Sequence, residues 1–276
     1  MKPLRIFGYC ILILFFFYEL FPFYWMFNTA FKTRAELRLS PHVTFFPHNP
    51  TIENFVVVLR RQVTAFVTPP IMNSIIISLV STLITLILSV PASYSLARFK
   101  IKRSDNISFW ILSQRMMPPI ALAIPYFIMI GALNLLDTQL ALILVYTAFN
   151  LPFAVWMLKA YWADFPWVLE EAALTDGCNR LQSFFNVILP LSWGSIATVT
   201  FFTFIFSWYE FLFALILTRS RATTITISLA SSILETGVEW GWISALSVIC
   251  TIPTILLSIF LYKRIISGLT LGAIKG

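Results

Sequence analysis

The sequence predicts an all-α, polytopic membrane protein with six transmembrane helices, and three observations carry that reading. Hydrophobic residues make up 59% of the 276 and charged residues only 11%, whereas soluble domains average about 45–50% apolar and about 25% charged. Mean hydropathy is +0.85. The apolar residues also come in blocks of the length a helix needs to cross a bilayer, about 20 residues, with short polar segments between them. The 27 phenylalanines suit lipid-facing mass and the 9 tryptophans suit interfacial anchors.

The first block, roughly 7–29, follows Lys2 and Arg5 and is interrupted by Glu19. It is too long for a cleaved signal core and lacks a small-x-small exit site, so it reads as an uncleaved first span. Glu19 reads as close enough to a span end to snorkel. Residues 32–70 carry Pro41, Pro47, Pro50, Pro69 and Pro70 and read as a loop with one amphipathic turn. Five further spans are expected near 71–96, 107–132, 139–159, 192–217 and 242–262. The chain thus divides into 1–70 (first span and outer loop), a 71–267 core of five spans and a 268–276 tail.

An even number of spans puts both termini on one side. The densest basic run, RFKIKR at 98–103, lies in a short connection, where the positive-inside rule is most reliable. Both termini are therefore expected in the cytoplasm, together with the long connection 160–191. The net charge of +7 is spread over the inter-span segments, which argues against a nucleic-acid-binding patch. Cys10, Cys178 and Cys250 are far apart and His42 and His48 share one loop without acidic or thiol neighbours, so neither a disulfide framework nor a metal site is expected.

The 160–191 connection contains LEEAALTDGCNRLQSFFNVILPL, residues 169–191. Asp164 reads as a helix cap and Pro166 as a first-turn residue. Glu170 and Glu171 continue into Ala172 and Ala173, whose small side chains allow another backbone to approach closely. Asp176–Gly177 reads as a stop and turn, because glycine tolerates the positive φ that ends many helices. NRLQSFFNV then forms a second amphipathic segment, and Pro190 opens the fifth span. The residues alone describe a helix–turn–helix at the membrane face.

Glu171-Ala172-Ala173, Gly177, Val187 and Leu189-Pro190 resemble the EAA motif of ABC importer permeases, with Val187 where isoleucine is usual. Residues 73–99, MMPPIALAIPYF (116–127), WYEFLFAL (208–215) and GLTLGAIKG (268–276) are similar to the carbohydrate-importer branch, in particular the smaller permease of maltose transporters. Tyr209 and Trp193-Gly194 depart from that branch, which often has asparagine and proline there. The resemblance implies the type I importer permease (MetI-like) fold in the bacterial cytoplasmic membrane. It also implies a second homologous permease, two ATP-binding subunits, an extracytoplasmic solute-binding protein and a sugar-like solute.

No G-x-x-x-x-G-K-[ST] sequence occurs, so ATP and Mg are expected on the partner ATPase subunits and no cofactor or enzyme activity in this chain. The resemblance makes Glu170, Glu171, Ala172, Ala173, Asp176, Gly177 and Arg180 the ATPase-coupling residues. Of these, Glu171 is expected to make polar docking contacts, and Asp176 and Arg180 salt bridges. In the tail, Gly272 and Lys275 are expected to reach the ATPase. Within the spans, polar residues are candidates for the solute pathway: Arg115, Asn150, Trp208, Tyr209 and Glu210. Trp208-Tyr209-Glu210 reads as a sugar grip or Glu210 as half of an interhelical pair; Arg115, next to Gln114, has the same two readings, and Arg115 and Glu210 are potential partners. The rival class is an ion-coupled secondary transporter, which would need midplane carboxylates and usually an internal repeat. Only Glu19 and Glu210 are available, and no repeated half is visible.

Overall fold

The computed structural model describes residues 2–39, 42–65, 68–234 and 237–270. Its helices in chain order are α1 (Lys2–Ala30), α2 (Arg34–Leu39), α3 (Glu53–Thr64), α4 (Pro70–Arg98), α5 (Ser104–Ser113), α6 (Pro119–Ala132), α7 (Gln139–Asp164), α8 (Trp167–Thr175), α9 (Arg180–Ser183), α10 (Leu189–Leu191), α11 (Trp193–Trp208), α12 (Leu212–Leu217), α13 (Ile225–Ala230) and α14 (Trp240–Thr270). A 3₁₀ turn covers Gln114–Met116, and a π turn covers Phe184–Ile188. Strands β1 (Ile233–Leu234) and β2 (Gly237–Val238) pair antiparallel.

Among the described residues, α1, α4, α7 and α14 are each long and apolar enough to span a bilayer. The third expected span is present as two helices, Ser104–Met116 and Pro119–Ala132, bent by 90°. The cause is Pro118–Pro119: proline excludes the helical conformation from the residue before it and has no N–H to give, and Met117 is extended at ψ 132. The fifth span is α11 followed by α12, interrupted at Tyr209–Phe211. A separate 73° bend divides it from the segment before it at Ser192. Glu19 lies near the middle of α1 rather than near its end.

Two compact units divide the chain, Met1–Val67 with Ile227–Pro253 and Thr68–Thr226 with Thr254–Gly276. In the first, the expected loop at 32–70 contains two helices, α2 and α3. Helix α3 turns Asn54, Val58 and Gln62 inward at the i, i+4, i+8 spacing of one helical face. Asn54 Nδ2 closes the end of α1 by donating to the carbonyls of Ala30 and Lys32, at 2.9 and 2.8 Å. A Cβ on Gly241 would lie 2.6 Å from the Asn54 side chain, so α14 approaches α3 only because that position has none. Buried Glu239 receives the guanidinium groups of Arg34 and Arg38.

The second unit is built on α4 packed against α7 and α11. Its buried stripe on α4 is polar and small: Ser74, Ser78, Ser81, Thr82, Thr85, Ser89 and Ser93, with Leu79, Leu83 and Ile87 exposed on the other side. Lipid is as apolar as leucine, so helices in a membrane meet through small residues that let backbones approach. Some of the hydroxyls are satisfied locally, as where Ser78 and Thr85 donate to the carbonyls four residues back, each at 2.7 Å, while those of Thr82 and Ser89 have no partner among the described residues. At the Arg98 end, Tyr94, Leu158, Trp162, Phe165, Phe184 and Ile188 form an apolar cluster, in which Trp162 Nε1 donates to Ser93 Oγ at 2.9 Å.

Candidate functional site

The connection carrying the EAA-like sequence is two short helical segments around Gly177. Helix α7 continues through Asp164, and Pro166 is the N-cap of α8. At the other end α8 stops at Asp176 and Gly177 takes φ +91°. The N–H of Cys178 reaches the carbonyl of Ala173 at 3.0 Å, the closing bond of a left-handed C-cap. Helix α9 opens on a capping box, with Asn179 Oδ1 accepting from the Gln182 N–H and Gln182 Oε1 from the Asn179 N–H, both at 2.9 Å.

The two glutamates that the sequence groups together part company here. Glu170 is 2% exposed and turned toward α4. Tyr94 Oη donates to Glu170 Oε1 at 3.0 Å, and Arg98 Nε lies 3.9 Å from Oε2. Arg98 donates through Nη2 to the Phe165 carbonyl and stacks on Trp167, 4.3 Å from the ring centre. Arg180 Nη1 stands 4.0 Å from Glu170 Oε1, and its guanidinium lies over Phe99 at 5.7 Å. Arg180 is exposed, its side chain at 62%, so it also faces outward beside this buried group. Ala173 is buried beside Glu170, whereas Glu171, Ala172 and Asp176 are exposed. Around them Val168, Leu181 and Phe185 are also exposed, so the outward surface mixes one carboxylate pair with apolar side chains.

Sequence reasoning missed Tyr94 and Arg98. Arg98 was legible only as one charge of RFKIKR, and nothing local distinguishes it from Lys100 or Arg103. The signal comes from the fold, which buries the Arg98 side chain to 1% exposure while its neighbours in that run stay outside.

Mid-span, Arg115, Asn150 and Ser207 are brought together. Arg115 Nη1 donates to the Phe149 carbonyl at 2.7 Å and to Asn150 Oδ1 at 2.9 Å. The partner of Arg115 is therefore Asn150, not Glu210, which is turned to the N–H groups of Phe213 and Ala214. Asn150 Nδ2 donates to Ser207 Oγ at 3.0 Å, which is 3.2 Å from Ser81 Oγ. These bonds join the 3₁₀ turn, α7, α11 and α4. Trp208, Tyr209 and Glu210 do not form one grip. Trp208 is in the core, stacked on Phe204 at 5.8 Å. Tyr209 is exposed, with its hydroxyl 2.9 Å from Thr254 Oγ1. The Glu210 carboxylate caps α12, accepting the N–H groups of Phe213 and Ala214 at 2.9 and 3.1 Å. Gly272 and Lys275 lie outside the described residues, and among the described residues no cluster of three metal-ligating side chains occurs.

At the other end of α7, Asp137 accepts the backbone N–H groups of Arg219, Ser220, Arg221 and Ala222 at 2.9–3.2 Å. Partial burial pushes its carboxyl upward, but these four N–H groups together outweigh burial and hold it below the ordinary range. Asp137 itself takes φ 58°, a conformation that aspartate tolerates better than most residues.

Comparison with known proteins bears on this geometry. The family model described as binding-protein-dependent transport system inner membrane component matches residues 89–270. The sulfoquinovosyl glycerol transport system permease protein SmoH of Agrobacterium fabrum is 36% identical, over 100% of this chain and 94% of its own length. The trehalose/maltose transport system permease protein MalG of Thermococcus litoralis is also 36% identical, over 93% of this chain and 92% of its own. A chain from the crystal structure of a bacterial ABC transporter involved in the import of the acidic polysaccharide alginate is 22% identical. It superposes with a TM-score of 0.79 over 96% of this chain and 97% of that one, a likeness of fold. With its spans, its EAA-like loop and relatives aligned along nearly their whole length, the chain belongs to the family of binding-protein-dependent transport system inner membrane components, as the permease subunit of an ABC importer.

Proposed function

We propose that this chain pairs with a second, homologous permease on two ATP-binding subunits to import a sugar or sugar-like solute delivered by an extracytoplasmic binding protein. Both termini and the 160–191 loop then face the cytoplasm, and the membrane is the bacterial inner membrane. ATP and Mg bind to the ATPase subunits and not to this chain.

The observation that carries the reading is the division of α8 into a fastened and a free face. Glu170 joins it to α4, the central helix of the second unit, and Ala173 is buried on the same side, while Glu171, Ala172 and Asp176 stay exposed. A partner that grips the free face moves α8, and the fastened face passes the displacement to α4. Glu171 then makes the polar contact, Ala172 allows close approach and Gly177 sets the angle of α8 to α9. Glu170 and Ala173 position that surface from behind, and exposed Arg180 is available for a salt bridge across it. Alternating access follows as a shift between inward- and outward-open arrangements driven by ATPase closure. The sugar class is supported by relatives named for trehalose/maltose and sulfoquinovosyl glycerol transport.

The test is uptake by the reconstituted transporter in proteoliposomes. Accumulation of a sugar that needs ATP on the ATPase side, together with the binding protein, is the expected result. Uptake driven by a proton or sodium gradient without ATP would overturn the reading in favour of a secondary transporter.

A further inference from the structure

We infer that Arg115 is the seat of an anionic group on the solute, so the transported sugar bears a carboxylate, sulfonate or phosphate. The inference rests on the sugar-importer reading and narrows its substrate class.

Arg115 sits in the 3₁₀ turn Gln114–Met116, at the 90° break about halfway along the third span. Its guanidinium lies over the rings of Phe149 and Phe206, at 4.0 and 4.9 Å from their centres. Nη1 is used on the Phe149 carbonyl and Asn150 Oδ1. The Asn150 amide is fixed in turn by Ser207, and Ser207 by Ser81. Asn150, Ser207 and Ser81 are all buried, so the ladder is closed except where Arg115 ends it. It holds the guanidinium in one orientation and gives it no negative charge, since every other member is neutral.

Among the described residues no carboxylate lies within 4 Å of Arg115. The nearest class of candidate in the broken spans, Glu210, is committed to the N–H groups of α12. Nε and Nη2 of Arg115 carry no hydrogen bond among the described residues, and neither is among the atoms sealed inside the chain. These two donors lie side by side along one edge of the guanidinium. That edge matches two oxygens of a carboxylate, sulfonate or phosphate. A neutral hydroxyl can fill one of the donors but leaves the charge uncompensated, which is costly at this depth. Arginine rather than lysine is the residue that such oriented, two-point recognition requires.

The experiment uses the whole transporter, with both permeases, the ATP-binding subunits and the binding protein, in proteoliposomes. ATP-driven uptake is measured for glucose, maltose and trehalose against glucuronate, galacturonate and glucose 6-phosphate. Uptake of at least one anionic sugar is expected. Its KM should rise about tenfold or more in Arg115→Gln and less in Arg115→Lys, with all subunits still copurifying. Glu19→Gln, which removes the mid-span charge of α1, serves as the control and should leave KM unchanged. Uptake of neutral sugars alone would overturn the inference and leave the importer reading standing. So would an anionic sugar carried equally well by Arg115→Gln. Release of the second permease by Arg115→Gln would assign the cation to a subunit interface and overturn it too. No ATP-driven uptake of any of the six would sink both readings.

Discussion

The inward and outward faces of α8 have nearly the same composition in sequence and opposite situations in the fold. Successive residues on a helix are about 100° apart, so Glu170 and Glu171 cannot share a surroundings. Glu170 meets Tyr94 and Arg98 in the interior, while Glu171 meets solvent. The difference teaches what a transmitting helix needs. A carboxylate used inside the chain gives the helix a fixed relation to α4, and a carboxylate outside gives a partner something to grip. Neither alone would convert the movement of a partner into movement of a span.

Breaking the inward face should have the largest effect on the stability of the subunit. Arg98→Ala removes the buried cation beside the Glu170 carboxylate and leaves only the exposed Arg180 near it; loss of one partner from a buried ion pair costs about 3–5 kcal/mol. The purified transporter in nanodiscs should unfold at a clearly lower temperature, and its ATP hydrolysis should no longer respond to the loaded binding protein. The double variant Arg98→Met with Glu170→Leu separates the two effects, because apolar replacement of a whole buried pair is often neutral in stability. We expect the melting temperature to recover and the response of ATP hydrolysis to stay lost. Full recovery of both would reduce the pair to packing.

The turn that aims the outward face comes next. Gly177 has no neighbouring atom within 4 Å of where a Cβ would stand, but its φ is +91°. Gly177→Ala therefore meets no clash and only backbone strain, about 1–2 kcal/mol. Thermal unfolding should show that loss, and ATPase copurification should fall further than the loss in stability explains, since the angle between α8 and α9 changes with it. A variant with normal stability and normal copurification would mean that the turn does not set the docking surface.

How much of this was legible from residues can be argued from the same loop. The apolar blocks gave the spans, because bilayer thickness sets their length whatever they pack against. Asp176–Gly177 gave the turn, because the requirement for positive φ is local. The direction of Glu170 was not legible, since its partners Tyr94 and Arg98 lie more than seventy residues away and only the packing of α4 on α7 brings them near. The same reason hid the ladder from Arg115 to Ser207. Asn150 and Arg115 were each visible as polar residues in apolar blocks, but their pairing depends on the break at Pro118–Pro119. Helix α3 was hidden for a different reason. Its inward face is Asn54, Val58 and Gln62, two of them polar, so hydrophobic periodicity had little to register.

Asp137 tests whether any inward-turned carboxylate would behave as Glu170 does. It lies before α7 begins and Glu170 after it ends, and it too is used within the chain. Its folded pKa is depressed. Its contribution to stability is therefore fully present above the unfolded value of about 3.9 and is lost as pH falls through the lower folded value. Asp137→Asn should cost about 1 kcal/mol at neutral pH, the scale of partly exposed hydrogen bonds. The gap from the unsubstituted protein should close on acidification below the folded value. Transport per ATP hydrolysed should be unchanged. If Asp137→Asn uncouples hydrolysis from transport as Arg98→Ala does, the special role of the α8–α4 link is lost.

The smallest expected effect on stability is the most informative about the outward face. Glu171 is exposed and makes no side-chain bond among the described residues, so Glu171→Lys should change the unfolding free energy by less than about 0.5 kcal/mol, as for other surface substitutions. Yet it reverses a charge beside Ala172 and Asp176, on the surface proposed to receive the ATPase. The subunit should insert and assemble with the second permease normally and lose the ATP-binding subunits on purification. A charge reversal introduced into the facing surface of the ATPase should bring them back, and no change in stability of this chain could produce that rescue. Should Glu171→Lys retain the ATPase at wild-type levels, α8 would have no polar grip on its free face. Docking would then rest on the apolar side chains Val168, Leu181 and Phe185, and the division of α8 into two faces would be one of burial alone.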